Sequence, residues 1–265
     1  MSIHQLLTQA KTQNIITIPS GWGQGRATYG GLIAGLLCSR LFAALGDAAQ
    51  ERMLRSATVS FIGAVSAGDV ELKTEVFRSG KSVTQAEARL IQNGEVLAVL
   101  LASFGSGRES GIYVPVRHPA PVYKAPEETP VFPYLAGITP EFFQQTELRW
   151  STGKTPFTGA EKPDFGGWMR WNDSFAEMTT AHLFALIDAW PPSVLPMYKT
   201  FAPISTLCWT LEFLAEPVGK SSQNWWQYHV LTDAAKSGYA HAEGHIWDDE
   251  GNLVAISRQT VTVFA

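Results

Sequence analysis

A run of sixteen residues, GGLIAGLLCSRLFAAL at positions 30–45, is apolar on every side except at Ser39 and Arg40. Wound as a helix it has no face to offer water, so other elements must wrap it. The stretch that follows can do so. Positions 55–65, 69–80, 81–94 and 95–105 are strand-length segments punctuated by turn residues in AGD, RSGKS and QNGE. Within DVELKTEV, Val70, Leu72 and Val76 alternate with Glu71, Lys73 and Glu75, which predicts a sheet with one covered and one wet face. One helix followed by an antiparallel sheet is an α+β unit.

The second half repeats the pattern. SFAEMTTAHLFALIDAW (174–190) reads as the helix, and strand-like segments follow at 203–217, 224–234, 238–251 and 252–265. RLFAALGD (40–47) matches HLFALIDA (182–189), and IQNGEVLAV resembles IWDDEGNLVAI across the last hairpin. Self-similarity over half a chain points to duplication of one helix-plus-sheet unit rather than to a solenoid. Neither helix can be left half covered, so paired sheets closing one core are the economical solution. Between the halves, residues 106–165 hold nine of the fifteen prolines, which blocks helix and central strand and predicts an extended crossover. FFQQTELRW (142–150) and GGWMRWND (166–173) regain strand-like content and are expected to open the second sheet. The expected organisation is an N-terminal unit at 1–110, a proline-rich linker at 111–140 and a C-terminal unit at 141–265.

Composition narrows the function. With 45% hydrophobic and 17% charged residues the chain is an ordinary globule, neither disordered nor a coiled coil. A net charge of −4, a pI near 5.9 and the lack of any Lys/Arg cluster leave no footprint for nucleic acid or for an anionic membrane surface. No apolar run approaches the roughly 18 residues needed to cross a bilayer. Cys38 and Cys208 lie far apart in apolar contexts, and the opening MSIHQLLTQAKTQ lacks a charged-then-apolar signal pattern, so a cytoplasmic location is expected. The partners expected of such a chain are small molecules or copies of itself.

One carboxylate stands out. Asp188 lies within the apolar run HLFALIDAW, and burying an unpartnered carboxylate costs several kcal/mol or forces it to take a proton. It also opposes the dipole of its own helix, which Trp190-Pro191-Pro192 ends at once. A solvated residue at a helix end remains an alternative. In VAISRQTVTVFA, Gln259 shares strand parity with Leu253, Ala255, Val261 and Val263, so its amide points toward the apolar face and needs partners. Thr206 in PISTLCWTLEF lies on the parity opposite to Leu207, Trp209, Leu211 and Phe213, which conflicts with a shared site unless the strand bulges or Thr206 sits at its end. The duplication supplies an internal control. In the first copy the positions of Gln259, Thr206 and Asp188 are held by Ala102, Leu54 and about Gly46. All three polar residues are missing there, which favours a single site built on the second half.

YGGLIAGLLCSRL, the whole stretch from RSATVSF to LLASFG, STLCWTLEF and GNLVAISRQTVTVFA resemble the acyl-CoA thioesterase II family of double hot-dog proteins. The resemblance covers nearly the whole chain apart from the crossover. It implies a double hot-dog fold in which each half wraps an antiparallel sheet around one long helix. It also implies that the family's catalytic Asp, Thr and Gln fall on Asp188, Thr206 and Gln259, with Ser205 the alternative hydroxyl if the strand aligns one residue out. The implied substrate is an acyl-CoA and the chemistry is hydrolysis without a cofactor or metal. Asp188 would act as general base while Thr206 and Gln259 orient the water. The oxyanion needs donors, and TYGG (28–31) at the first helix's start offers the N–H groups of Gly30 and Gly31, although tight helix–sheet packing would favour the same glycines. The resemblance, the edge strands and the abundant aromatic residues together imply a homo-oligomer, a dimer or a dimer of dimers.

Other signals carry less. HAEGH puts His241, Glu243 and His245 on one side of a strand, where a solvated edge strand is the expected reading and a metal face the alternative. GWGQGR (21–26) lacks the lysine of a phosphate loop, and no Gly-x-Ser-x-Gly elbow is present. Two rivals to a hydrolase stay open. A hot-dog dehydratase or hydratase would need a His in the site, and only His182 shares the buried helix with Asp188, on a largely different face. A non-catalytic acyl-CoA-binding protein is the other.

Overall fold

The computed structural model describes residues 1–46 and 51–264. Asp47, which ends one of the matched helix segments, lies outside the described residues. The first half opens with helix α1 (Ile3–Thr12), whose Ser2 cap and Gln5 side chain satisfy one another's backbone N–H groups. Strand β1 (Ile15–Ile18) and the short hairpin β2 (Gly23–Gln24) and β3 (Ala27–Thr28) lead into α2 (Gly30–Leu45). Strands β4 (Met53–Phe61), β5 (Gly68–Ser79), β6 (Val83–Gln92) and β7 (Glu95–Gly105) follow. After the crossover come β8 (Thr146–Thr152), β9 (Phe165–Trp171) and helix α3 (Thr180–Ile187). Strands β10 (Ile204–Phe213), β11 (Trp226–Lys236), β12 (Tyr239–Trp247) and β13 (Leu253–Val263) complete the chain.

All eleven long strands form one antiparallel sheet in the order β1-β5-β6-β7-β4-β10-β13-β12-β11-β9-β8. The two halves join at β4 and β10, where Thr58 faces Thr210 and their hydroxyls share a hydrogen bond of 2.9 Å. The sheet packs on α2 and α3, which pack against each other, and α1 lies against α2 and touches α3 through His4 and His182. This is the α+β arrangement expected from burial, and the double hot-dog that the family resemblance implies. Residues 31–39 of α2 are all buried. Its lone buried hydroxyl, Ser39, donates to the Leu7 carbonyl of α1 at 2.7 Å.

Four local expectations need correction. FFQQ is a 3-10 turn (Glu141–Gln145), so β8 starts at Thr146. The second helix begins at Thr180 rather than near Ser174, where Thr179 caps it. Val76 is 42% exposed, because the apolar face of β5 ends at Leu72 before the strand runs past the core. Strand β12 is no edge: it lies between β11 and β13.

The expected paired sheets are thus one continuous sheet, and the proline-rich segment, with one 3-10 turn at Pro126–Glu128, runs over the outer face of its second half. Indole N–H groups anchor it, Trp168 donating to the Lys124 carbonyl at 2.9 Å and Trp247 to that of His118 at 3.1 Å. These bonds answer the question of how a segment with few backbone donors is held in place. No helix among the described residues is long and apolar enough to cross a membrane.

Candidate active site

Asp188 caps the carboxyl end of α3, in helical conformation at φ −75° and ψ 0°. Such a position is unfavourable for an acid in an isolated helix, because the dipole's negative end meets a negative charge. The fold offsets this with the amino end of α2. A Cβ on Gly30 would lie 2.8 Å from Asp188 Oδ2, and one on Gly31 would lie 2.3 Å from the carbonyl oxygen of Ala185. Two glycines therefore open α2 because its first turn butts against the last turn of α3. The close packing that they permit is helix on helix, and at Gly30 also helix on sheet, where a Cβ would lie 3.3 Å from Phe61 of β4. Tyr29 locks the junction: its hydroxyl donates to the Ala185 carbonyl while its ring stacks on Phe142 at 3.9 Å. Tyr29 stands in TYGG, but its pairing with a residue 156 positions away left no local signal.

The carboxylate has a specific partner. Gln259 Nε2 donates to Asp188 Oδ1 at 3.1 Å. Burial pushes the Asp188 carboxyl up to about 7, against the Gln259 amide and the Gly31 N–H, which favour its charged form. Near neutrality such a group exists in both protonation states, as a general base needs.

Thr206 reaches the same face through a bulge. In the pairing of β10 with β13, Thr206 faces Val261 and Cys208 faces Thr260, so Leu207 is the extra residue. The register then puts Trp209 opposite Gln259 and leaves Leu207 42% exposed. Thr206 thus shares a face with Gln259 and Trp209, which resolves the conflict of parity. Ser205 faces Thr262 on the other side of the strand. The first half carries the same irregularity, a register shift between Leu54 and Ser56 in the pairing of β4 with β7. Leu54 faces Phe104 as Thr206 faces Val261, so Leu54 and Ala102 occupy the places of Thr206 and Gln259. Gly46 stands at the carboxyl cap of α2 as Asp188 does at that of α3.

Asp188, Thr206 and Gln259 line one cavity of about 220 Å³, together with Gly30. Ser205 also reaches its rim, and the apolar walls include Phe61 and Trp190, whose part the sequence did not signal. Gly31 is not among the lining residues; its N–H lies beside Asp188. No histidine lines the cavity among the described residues. His182 sits at the other end of α3, bonded to the Thr179 hydroxyl at 2.7 Å and facing His4 at 3.3 Å. Burial holds His182 down at about 3, with His4 and Lys11 adding to the effect, so it stays neutral.

A cavity holding a half-buried carboxylate, an amide and a hydroxyl, with a helix amino end beside them, suits the placing of a water next to a carbonyl. The sequence compares accordingly. The family model for the acyl-CoA thioesterase N-terminal domain matches residues 18–105, and that for the C-terminal domain matches residues 120–263. The chain belongs to the acyl-CoA thioesterase family. It is thus a thioester hydrolase. A search of curated proteins finds no match. Solved structures share the fold. A hot-dog protein of unknown function from Alicyclobacillus acidocaldarius is 23% identical, with a TM-score of 0.81 over 95% of this chain and 92% of that one. An acyl-CoA thioesterase II from Mycobacterium marinum is 18% identical, with a TM-score of 0.74 over 99% and 98%. A Mycobacterium avium subspecies paratuberculosis tesB protein is 14% identical, with a TM-score of 0.77 over the whole of both chains.

Proposed function

We propose that this thioesterase hydrolyses acyl-CoA to the free acid and CoA by water activation at Asp188. The observation that carries the reading is the Gln259 amide bonded to the Asp188 carboxylate over a cavity that Thr206 also lines. Asp188 takes a proton from a water held by Thr206 and Gln259, and the water's oxygen attacks the thioester carbonyl. The tetrahedral oxyanion forms against the amino end of α2, where the Gly30 N–H is the donor on the cavity wall; Gly31 supports Asp188. Collapse breaks the carbon–sulfur bond, and the proton on Asp188 passes to the departing CoA sulfur. No covalent enzyme intermediate and no cofactor are required.

The same reading places the enzyme in acyl-lipid metabolism in a reducing cytoplasm, with Cys38 and Cys208 as free thiols. It works as a homo-oligomer, a dimer or a dimer of dimers, and its chain is organised as an N-terminal unit (1–110), a crossover (111–140) and a C-terminal unit (141–265). Light scattering on the purified protein tests the assembly.

Release of free thiol from a panel of acyl-CoAs of increasing chain length tests the function. The wild type should release CoA, while Asp188→Asn should lose at least about 10²-fold, as removal of a general base does. A variant that binds acyl-CoA as the wild type does and still turns it over at the wild-type rate sinks the assignment to Asp188. A wild type that binds without turnover leaves the acyl-CoA-binding alternative standing.

A further inference from the structure

The outer face of the sheet's second half holds a polar cluster that thioester hydrolysis does not use. Along β12, Ala242 and Ile246 pack into the helix-facing core, so Glu243 and His245 point the other way. Neither is fully exposed there, Glu243 being partly buried. His245 is only 2% exposed, because the proline-rich crossover lies over it and brings His118 to its side. The rings of His118 and His245 have centroids 4.3 Å apart. His241, the third member of the HAEGH pattern, is exposed and turns to Thr260 at 3.2 Å, so the fold exchanges it for a histidine about 120 positions earlier in the chain.

We propose that His118, Glu243 and His245 bind one divalent first-row transition cation, such as zinc, which pins the crossover to the sheet. One ligand atom from each of the three lies within 4.8 Å of the others. His245 Nε2 and Glu243 Oε1 are 3.3 Å apart, close to the edge of about 3.4 Å of a tetrahedron whose ligands stand 2.0–2.2 Å from zinc. Two imidazoles and a carboxylate suit such cations and leave a further position for water. Charge favours the same occupant. Arg258 is shared by Glu243, at 2.7 Å through Oε2, and by Glu212, so two carboxylates face one guanidinium and Glu243 Oε1 stays available. The Trp247 indole donates to the His118 carbonyl at 3.1 Å and positions that part of the crossover before any ion arrives.

The test is calorimetric titration of zinc chloride into the full-length, chelator-treated protein at pH 7.5, alongside His118→Ala, Glu243→Gln and His241→Ala. His118 lies in the crossover and outside the strands, so its variant keeps the fold, which circular dichroism verifies. The expected result is one zinc per chain with Kd in the micromolar range or tighter. His118→Ala and Glu243→Gln should weaken it about 100-fold or more, while His241→Ala leaves it unchanged. Zinc should also raise the wild-type Tm and leave that of His118→Ala unmoved. No binding at 100-fold excess zinc over protein, or equal binding by His118→Ala, overturns the proposal. So does weakening by His241→Ala as strong as that by His118→Ala, which would mark a surface histidine site. None of these outcomes depends on thioester hydrolysis, because the cluster and Asp188 lie on opposite faces of the sheet.

Discussion

If Asp188 is kept for chemistry rather than for packing, removing its charge should make the protein more stable as well as inactive. A carboxyl held at about 7 against an ordinary 3.8 carries an ionisation penalty of about 4 kcal/mol in the folded state, at 1.36 kcal/mol per unit. Asp188 is half-buried and opens on the cavity, and water there trims the figure to about 2–4 kcal/mol. The sign follows from the direction of the shift. The folded state binds the proton more tightly than the unfolded chain, so the penalty is absent below about pH 4. It grows as pH rises toward 7 and is complete above that. Asp188→Asn keeps the shape and an acceptor for the Gln259 amide but has no charge to bury. Urea unfolding of both proteins at pH 4.5, 6 and 8.5, at matched ionic strength, measures the gap. The variant should gain on the wild type steadily with pH and lead it by about 2–4 kcal/mol at pH 8.5. Parallel stability profiles would refute the reasoning, because the carboxylate would then be solvated or fully compensated in the fold.

Activity should show the same group. The acid limb of kcat/KM should titrate near pH 7, and Gln259→Leu, which removes a donor to the charged form, should move that limb to higher pH while lowering the rate; a pH–rate profile of each reads both. Thr206→Val removes the hydroxyl from the cavity and should lower hydrolysis about 10²-fold, whereas deleting the bulge residue Leu207 leaves Thr206 two positions before Trp209, on the same face, and should keep most of the rate; thiol release reads both. Gly31→Ala places a methyl 2.3 Å from the Ala185 carbonyl oxygen and should destabilise the chain by at least about 1–3 kcal/mol in urea unfolding, against a small change for the open, exposed Gly107→Ala.

The architecture was legible because burial leaves its mark on composition. A helix apolar all round, followed by four strand-length segments, twice over, permits little besides antiparallel strands wrapped on two helices, although that the strands join at β4 and β10 into one continuous sheet was not legible. That Asp188, Thr206 and Gln259 come together was legible for a different reason, the duplication. Ala102 and Leu54 stand where Gln259 and Thr206 do, and the matching register shifts in both halves show those positions to be equivalent. What stayed hidden depends on contacts between distant segments. The bulge at Leu207 reverses the parity that a regular strand would give Thr206, and nothing in STLCWTLEF announces it. The amino end of α2 offsets the unfavourable dipole at Asp188, a relation between residues more than 150 positions apart. His245 reads as a solvated residue until the crossover is laid over it. Local pattern reports which face is apolar, and it is silent on which distant segment covers the polar one.

The claim that Asp188 activates a water, and does not itself attack the thioester, is tested most directly by a single turnover in water enriched in oxygen-18, with enzyme in excess over an acyl-CoA that the protein cleaves. General-base hydrolysis puts one labelled oxygen into the product acid and none into the protein, as mass spectrometry of the product and of the peptide containing Asp188 would show. Label in that peptide, with an unlabelled acid, would mean that an acyl-aspartyl anhydride had formed and been opened at the enzyme's carbonyl, and would contradict the account.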